Sequence, residues 1–88
     1  MTPRRTDRNQ SAIVAALRKA GRRVQDAHTI GQGFPDLVCC CPSGRVVLLE
    51  VKAPNGVLNE RELRWHAEWA GAPVFIVRSI EEALEVTG

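Results

Sequence analysis

Residues 36–52 read Asp-Leu-Val-Cys-Cys-Cys-Pro-Ser-Gly-Arg-Val-Val-Leu-Leu-Glu-Val-Lys, and they carry the strongest structural signal in the chain. Two apolar runs, 36–41 and 45–52, are typical of β-strands, and the second is rich in β-branched residues. The residues between them, 42–44, are Pro-Ser-Gly. A short loop with proline early and glycine last is typical of a type I turn followed by a left-handed residue. The stretch therefore predicts an antiparallel β-hairpin.

The register of this hairpin follows from the length of its loop. A three-residue loop pairs Cys41 with Arg45, and counting outward from that pair places Asp36 opposite Glu50. Directly opposed residues share a face of the sheet, with Cβ atoms roughly 4.5–5.5 Å apart. Lys52 lies two positions beyond Glu50 and points to the same face. The sequence thus predicts that two carboxylates and one amine converge at one end of the hairpin, whereas a two-residue turn would shift the register and separate them.

Glu50 and Lys52 interrupt a run that is otherwise typical of a strand buried on both faces. A buried carboxylate is costly unless it is paired or binds a metal ion. Asp36 and Glu50 would repel each other, and a divalent cation would remove that repulsion. Oxygen ligands favour Mg²⁺ or Mn²⁺, and Lys52 would then position or deprotonate an attacking water or stabilise charge on phosphorus. The alternative is a salt bridge from Lys52 to one of the acids, without catalysis.

The segments on either side of the hairpin predict three helices and two further strands. Ile13, Val14, Leu17 and Ala20 recur at helical spacing, and Gly21 is typical of a helix end. The predicted elements are a helix over 8–20, a strand over 22–29, the two hairpin strands, a helix from Asn59 to about Ala70, a strand over 72–77, and a helix from Ser79 to about Glu85. This αβββαβα order predicts an α/β fold with a central mixed four-stranded sheet flanked by helices, in a single domain over 1–88.

The composition is ordinary for a soluble globular protein, with 88 residues, 44% apolar, 25% charged and a net charge of +2. No apolar run approaches the roughly 20 residues of a membrane-spanning helix, and the N-terminus does not have the pattern of a secretory signal. So small a core favours homo-oligomerisation. The consecutive cysteines at 39–41 fit no zinc-binding spacing, so we interpret them as small apolar strand residues in a reducing cytoplasm.

Positive charge is concentrated near the N-terminus. The arginines of this region are Arg4, Arg5, Arg8, Arg18, Arg22 and Arg23. Arginine suits bidentate contacts to phosphate, so the cluster indicates a surface that faces a phosphate backbone. The alternative is a solvated helix face without a partner.

Three short motifs together resemble the core of the VRR-NUC family, a branch of the PD-(D/E)XK nucleases. They are Gly33-Phe34-Pro35-Asp36, Gly44-Arg45, and Leu49-Glu50-Val51-Lys52-Ala53-Pro54. The family pattern is Gly-x-Pro-Asp, a hairpin, then Glu-x-Lys with a following loop and helix, on a restriction-endonuclease-like core. The similarity extends from about Asn9 to Val77.

The resemblance implies an endonuclease that hydrolyses DNA phosphodiester bonds with Mg²⁺ or Mn²⁺. It implies Asp36 and Glu50 as metal ligands, the carbonyl of Val51 as a further ligand, and Lys52 as the catalytic lysine. Stand-alone members are similar to phage-encoded proteins that form symmetric dimers and resemble Holliday-junction resolvases. A homodimer that acts on branched or junction DNA, in the cytoplasm of a bacterium or a phage host, is therefore expected.

Two positions depart from the family pattern. The family usually has a glutamate on the first helix that contributes to the metal site, and Gln10 stands at the corresponding position. Gln10 could ligate through its carbonyl oxygen, Asp7 could substitute from one turn earlier, or Gln10 could simply face solvent. On the helix after the lysine, the family often has a glutamine shortly before an aromatic residue. Here Glu62 takes that place, with Trp65 following.

The loop before the hairpin and the N-terminal arginines are the predicted DNA contacts. They are Arg4, Arg5, Arg8, Gln32 and Phe34. The arginines would contact the DNA backbone, and the two loop residues are chosen for their position just before Asp36.

The tryptophans and histidines allow two interpretations each. Trp65 and Trp69 share a helix face, which favours core or dimer packing, with stacking on an unpaired base as the alternative. His28 and His66 are single histidines, interpreted as structural or phosphate-facing residues rather than metal ligands.

Three hypotheses for the function remain at the level of the sequence. The first is a metal-dependent endonuclease that acts on structured DNA. The second is a catalytically weak or inactive DNA-binding module with the nuclease fold, and the neutral Gln10 favours it. The third is a domain whose charge cluster is incidental.

Overall fold

The computed structural model describes residues 8–88, and the side chains from residue 9 onward. Its elements are α1 (Arg8–Lys19), β1 (Arg23–Asp26), β2 (Leu37–Cys40), β3 (Val46–Val51), α2 (Glu60–Glu68), β4 (Val74–Val77) and α3 (Ile80–Val86). This order confirms the predicted αβββαβα arrangement.

One four-stranded sheet, in the order β1-β2-β3-β4, organises the described residues. The pairs β1–β2 and β2–β3 are antiparallel, and β4 runs parallel to β3. Parallel neighbours require a crossover connection, and α2 lies in that connection. The sheet is therefore mixed, as predicted.

The hairpin has the predicted register. Leu37 pairs with Leu49 and Cys40 with Val46. The amide of Cys41 donates to the carbonyl of Arg45 over 2.8 Å, which closes the three-residue loop. Gly44 has a φ of 91°, the left-handed conformation that this loop requires.

The core lies between one face of the sheet and the helices α1 and α3. Ile13 and Leu17, one turn apart on α1, are fully buried, as is Ala83 on α3. The buried strand residues that meet them are Leu37, Cys39, Val47, Leu49, Val51 and Val77. All three cysteines are free thiols. Helix α2 contacts the opposite face, because Glu50 points away from Leu49 and meets α2 side chains there.

The first strand and the last strand are shorter than predicted. β1 ends at Asp26 rather than at residue 29, because the Asp26 carboxylate accepts the amide of His28 over 2.9 Å and turns the chain away from the sheet. β4 begins at Val74 rather than at residue 72, directly after Pro73, which has no amide hydrogen for a strand ladder. These differences move element ends and leave the topology unchanged.

In residues 8–88, none of the helices has the length and apolar character needed to cross a lipid bilayer.

Candidate active site

Asp36 and Glu50 face each other at the open end of the hairpin. The ladder ends at the pair Leu37–Leu49, and one further step in the same register places Asp36 opposite Glu50. The Asp36 carboxylate accepts the amide of Val51 over 2.8 Å, and its backbone carbonyl accepts the amide of Ala27 over 2.7 Å. The first bond holds the Asp36 carboxylate at the end of β3, and the second holds its backbone beside the end of β1.

Glu50 is a buried acid that lacks full pairing. Its residue is 1% exposed, and its Oε1 atom has no hydrogen-bond partner among the described residues. Burial, then the charge of Asp36 and a hydrogen bond with it, raise the pKa of Glu50 to about 9. Without a cation, the site therefore holds a proton near neutral pH that a metal ion would displace.

Lys52 lies on the same side as the two acids. Its Nζ is 2.8 Å from Oε1 of Glu62 and 3.9 Å from Oε2 of Glu50. Oε1 of Glu62 also accepts the amide of Asn59 over 2.9 Å, in a capping box at the start of α2. Burial raises the pKa of Glu62, but hydrogen bonds from Lys52 and Asn59 outweigh it, and the pKa is lowered. Glu62 is thus an ionised anchor for the lysine ammonium.

His66 belongs to this cluster, although the sequence did not indicate it. Its Nε2 is 3.9 Å from Oε1 of Glu50, and this buried nitrogen also has no hydrogen-bond partner among the described residues. His66 follows Glu62 by one helical turn, so both face the acids. The four-residue spacing of Glu62 and His66 is the feature of the sequence that could have indicated this placement.

Gln10 is buried in α1, with 7% of its surface exposed, so the solvent-facing interpretation of this residue is wrong. Its neighbour Asn9 donates from Nδ2 to the carbonyl of Lys52 over 3.0 Å, which ties the start of α1 to the end of β3. Within the described residues, the Gln10 side chain makes no hydrogen bond to Asp36 or Glu50. Its role as a ligand stays a prediction.

The donor set fits a hard divalent cation at the acidic pair. Asp36 and Glu50 supply carboxylate oxygens. The Oε1 atom of Glu50 is buried without a hydrogen-bond partner, and a bound cation would compensate for that. No group of three or more His, Cys, Asp or Glu side chains is arranged as metal ligands within the described part of the chain. The remaining ligands of a bound ion would therefore be backbone carbonyls, amides or water, which is common for Mg²⁺.

The predicted DNA contacts have different surroundings. Arg4, Arg5 and the side chain of Arg8 lie outside the described residues. Gln32 is exposed and has a φ of 61°. Phe34 is half-buried and packs its ring against the edge of Trp65, with ring centroids 5.4 Å apart. Phe34 therefore supports the loop from within.

Trp65 and Trp69 form a stacked pair at the C-terminal end of α2, in which one ring is buried and the other is exposed. Trp65 is buried, and Trp69 stacks on it with ring centroids 4.8 Å apart and is 49% exposed.

His28 pairs with Asp26, with Nδ1 of the ring 2.6 Å from the carboxylate, which is a structural role.

Two comparisons with known proteins find the same kind of domain. A family model described as the VRR-NUC domain matches residues 3–79. A solved structure titled "VRR_NUC domain" is similar to this chain with a TM-score of 0.72 and 28% sequence identity, over 90% of this chain and 89% of that one. No curated protein matches the sequence significantly.

Proposed function

This chain belongs to the VRR-NUC family of nuclease-type DNA-processing domains, and from that membership we propose that it is a Mg²⁺- or Mn²⁺-dependent endonuclease. The observation that carries the proposal is the acidic pair. Glu50 is buried opposite Asp36 with one oxygen unpartnered, and such an arrangement is costly unless a cation binds there.

Asp36 and Glu50 would hold the ion, with the carbonyl of Val51 and the amide oxygen of Gln10 as further ligands. When bound, such an ion supplies positive charge that polarises the phosphodiester and activates water. The chain keeps Asp36 in place through the amide of Val51. Two carboxylates fixed in advance in a buried site need little rearrangement to bind a cation.

Lys52 would act on the attacking water and on the phosphate. Its ammonium is held beside Glu50 by the ion pair with Glu62. From there it can orient the water or neutralise the negative charge that builds on the phosphoryl oxygens as the water oxygen adds. The attacking water gives a proton to solvent, the phosphorus–oxygen bond to the leaving group breaks, and the leaving oxygen takes up a proton from solvent.

The substrate would be branched or otherwise structured DNA, cut by a homodimer that presents two sites to two strands. Exposed apolar side chains support self-association, since Val57 before α2, Leu63 on α2 and Trp69 at its C-cap are at least 49% exposed. Three free thiols favour a reducing compartment, which supports the cytoplasm of a bacterium or a phage host.

The test is a cleavage panel with labelled single-stranded, duplex, flap and four-way DNA, in Mg²⁺, Mn²⁺ or EDTA. We expect metal-dependent cutting of the four-way or flap DNA, and none by Lys52→Ala. Lys19→Ala is the matched control, since Lys19 is the other lysine of the chain and is exposed on α1. Cutting in EDTA, or equal loss in both variants, would contradict the proposal.

A DNA-binding module without catalysis is the second candidate. The neutral Gln10, buried where the family usually has an acid, favours it. Intact DNA binding with no cleavage in either metal would decide for this candidate.

A further inference from the structure

A cleft of about 290 Å³ lies between the loop before β2, which ends at Asp36, and helix α2, which carries Glu62 and His66. Its lining consists of Gln32, Arg61, Arg64, Trp65 and Glu68. The lining is rich in guanidinium and amide donors, with a single carboxylate. Guanidinium groups in pairs are typical of sites that bind phosphate.

One wall of this cleft is the loop before β2, whose backbone lies close to the backbone of α2. Gly33 has a φ of 84°, and a Cβ there would overlap the carbonyl oxygen of Arg61 and lie 3.0 Å from Cβ of Trp65. Only glycine permits that approach. Gln32 is the sole non-glycine residue with positive φ among residues 8–88. Such backbone strain is often held at binding sites, and here it presents the Gln32 side chain to α2.

Arg61 and Arg64 differ from the arginines that stabilise the fold. Arg22 and Arg78 each donate to two or more groups of the protein, and Arg45 donates to the carbonyl of Val86. Among the described residues, the structure records no hydrogen bond or ion pair for the guanidinium of Arg61 or Arg64. Two unpaired positive charges in one cleft are available to an anionic ligand.

The cleft and the acidic cluster share helix α2. Glu62 and His66 face Lys52 and Glu50. Arg61 directly precedes Glu62, and Trp65 directly precedes His66. The two residues therefore lie on a neighbouring face of α2, rotated by about 100° around the helix axis. The other wall of the cleft is the loop before β2, in which Asp36 follows Gly33 by three residues. The cleft and the acidic pair therefore border the same helix and the same loop, so a DNA strand bound at one can extend to the other.

We infer that the cleft is a subsite for a backbone phosphate of the DNA strand that is being cut, bound by Arg61 and Arg64 with Gln32 as a further donor. This inference rests on the proposed function and names a part of its substrate site. Glu68 would weaken the binding of this phosphate, because like charges repel. Its removal should therefore strengthen binding.

The test measures binding without cleavage. Fluorescence anisotropy in EDTA would follow the affinity for a labelled duplex of about 20 base pairs and for four-way DNA, over a series of salt concentrations. Each lost phosphate contact lowers the slope of log affinity against log salt by about 0.7–0.9. We expect that change for Arg61→Gln and Arg64→Gln. Lys19→Gln removes one positive charge elsewhere and is the control, since Lys19 is exposed at the end of α1 that lies away from Asn9 and its contact with Lys52.

Glu68→Gln provides a test that misfolding cannot mimic. We expect it to tighten binding a few-fold, because a repulsive charge is removed. Unchanged slopes in both arginine variants, or an equal change in Lys19→Gln, would overturn the subsite. Cleavage by the parent protein is assayed separately, so that unchanged slopes with normal cleavage would reject the subsite alone. A parent protein that binds none of these DNAs would reject the subsite, and cleavage would then decide on the proposed function.

Discussion

Lys52 at the end of the hairpin and Glu62 at the start of α2 form an ion pair, with Nζ 2.8 Å from Oε1. The pair joins two elements that are separated by the loop over residues 53–59. The same glutamate closes the capping box with Asn59. Glu62 thus links the conformation of the helix end to the position of the proposed catalytic amine.

Glu62→Gln should slow cleavage while the fold is retained. Glutamine can still close the capping box, but it no longer holds the ammonium by charge. We expect the single-turnover cleavage rate to fall about tenfold, equivalent to ~1.4 kcal/mol, with the metal concentration for half-maximal rate unchanged. Glu60→Gln, an exposed acid in the same helical turn, is the control and should cut normally. An unchanged rate in Glu62→Gln would show that Lys52 needs no anchor.

Glu50→Gln should abolish cleavage without unfolding the protein. The substitution keeps the shape of the side chain and removes the charge that a cation would bind. We expect the rate to fall by more than about a hundredfold, because a direct metal ligand is worth at least as much as an outer-shell one. Circular dichroism would check the fold, and an unfolded variant would mean that Glu50 is needed for core packing.

Stability in the absence of metal should depend on pH through Glu50. The folded protein keeps this proton up to about pH 9, whereas an unfolded glutamate loses it near pH 4.5. The folded state therefore binds more protons between these values, so the contribution is complete below pH 4.5 and declines as pH rises towards 9. Glu62, with its lowered pKa, works in the opposite direction in both proteins.

The measurement is urea denaturation in EDTA of the parent protein and Glu50→Gln at several pH values across this interval. We expect the free energy of unfolding of the parent to fall relative to that of the variant as pH increases. A constant difference between the two proteins would show that Glu50 titrates normally.

Gly33→Ala should destabilise the protein more than Gly31→Ala in the same loop. Both glycines have positive φ, at 84° and 74°, and alanine in that conformation costs about 1–2 kcal/mol. A Cβ at Gly31 meets no atom within 4 Å, whereas one at Gly33 lies 2.8 Å from the carbonyl carbon of Arg61. Overlap with backbone adds about 1–3 kcal/mol. Equal losses in urea denaturation would indicate that the loop shifts away from α2.

The hairpin could be predicted from the sequence because its information is local. Pro42-Ser43-Gly44 sets the loop length, and the loop length sets the register that brings Asp36 to Glu50. The family motif supplied the chemistry of Lys52. Only short-range patterns were needed for these inferences.

The placement of α2 could not be predicted in the same way. Whether Glu62 and His66 meet Lys52 and Glu50 depends on how the helix packs across the sheet, and that depends on contacts distant in sequence. The close approach of Gly33 to Arg61 is of the same kind. The cleft beside the acids therefore became visible only in three dimensions, and the early end of β1 followed from a side-chain bond of Asp26.

Gln10→Glu should increase the affinity for Mn²⁺ and make stability depend on the metal. Gln10 is buried on α1, and its neighbour Asn9 already bonds to the carbonyl of Lys52. A third carboxylate there would add charge to the proposed ligands but would cost stability when no cation is present, because a buried acid is left unpaired. We expect a lower melting temperature than the parent in EDTA, recovery with Mn²⁺, and tighter binding by calorimetric titration. Ser11→Glu places the same charge on the exposed side of α1 and should change neither quantity. An unchanged Mn²⁺ affinity in Gln10→Glu would show that this helix does not reach the ion.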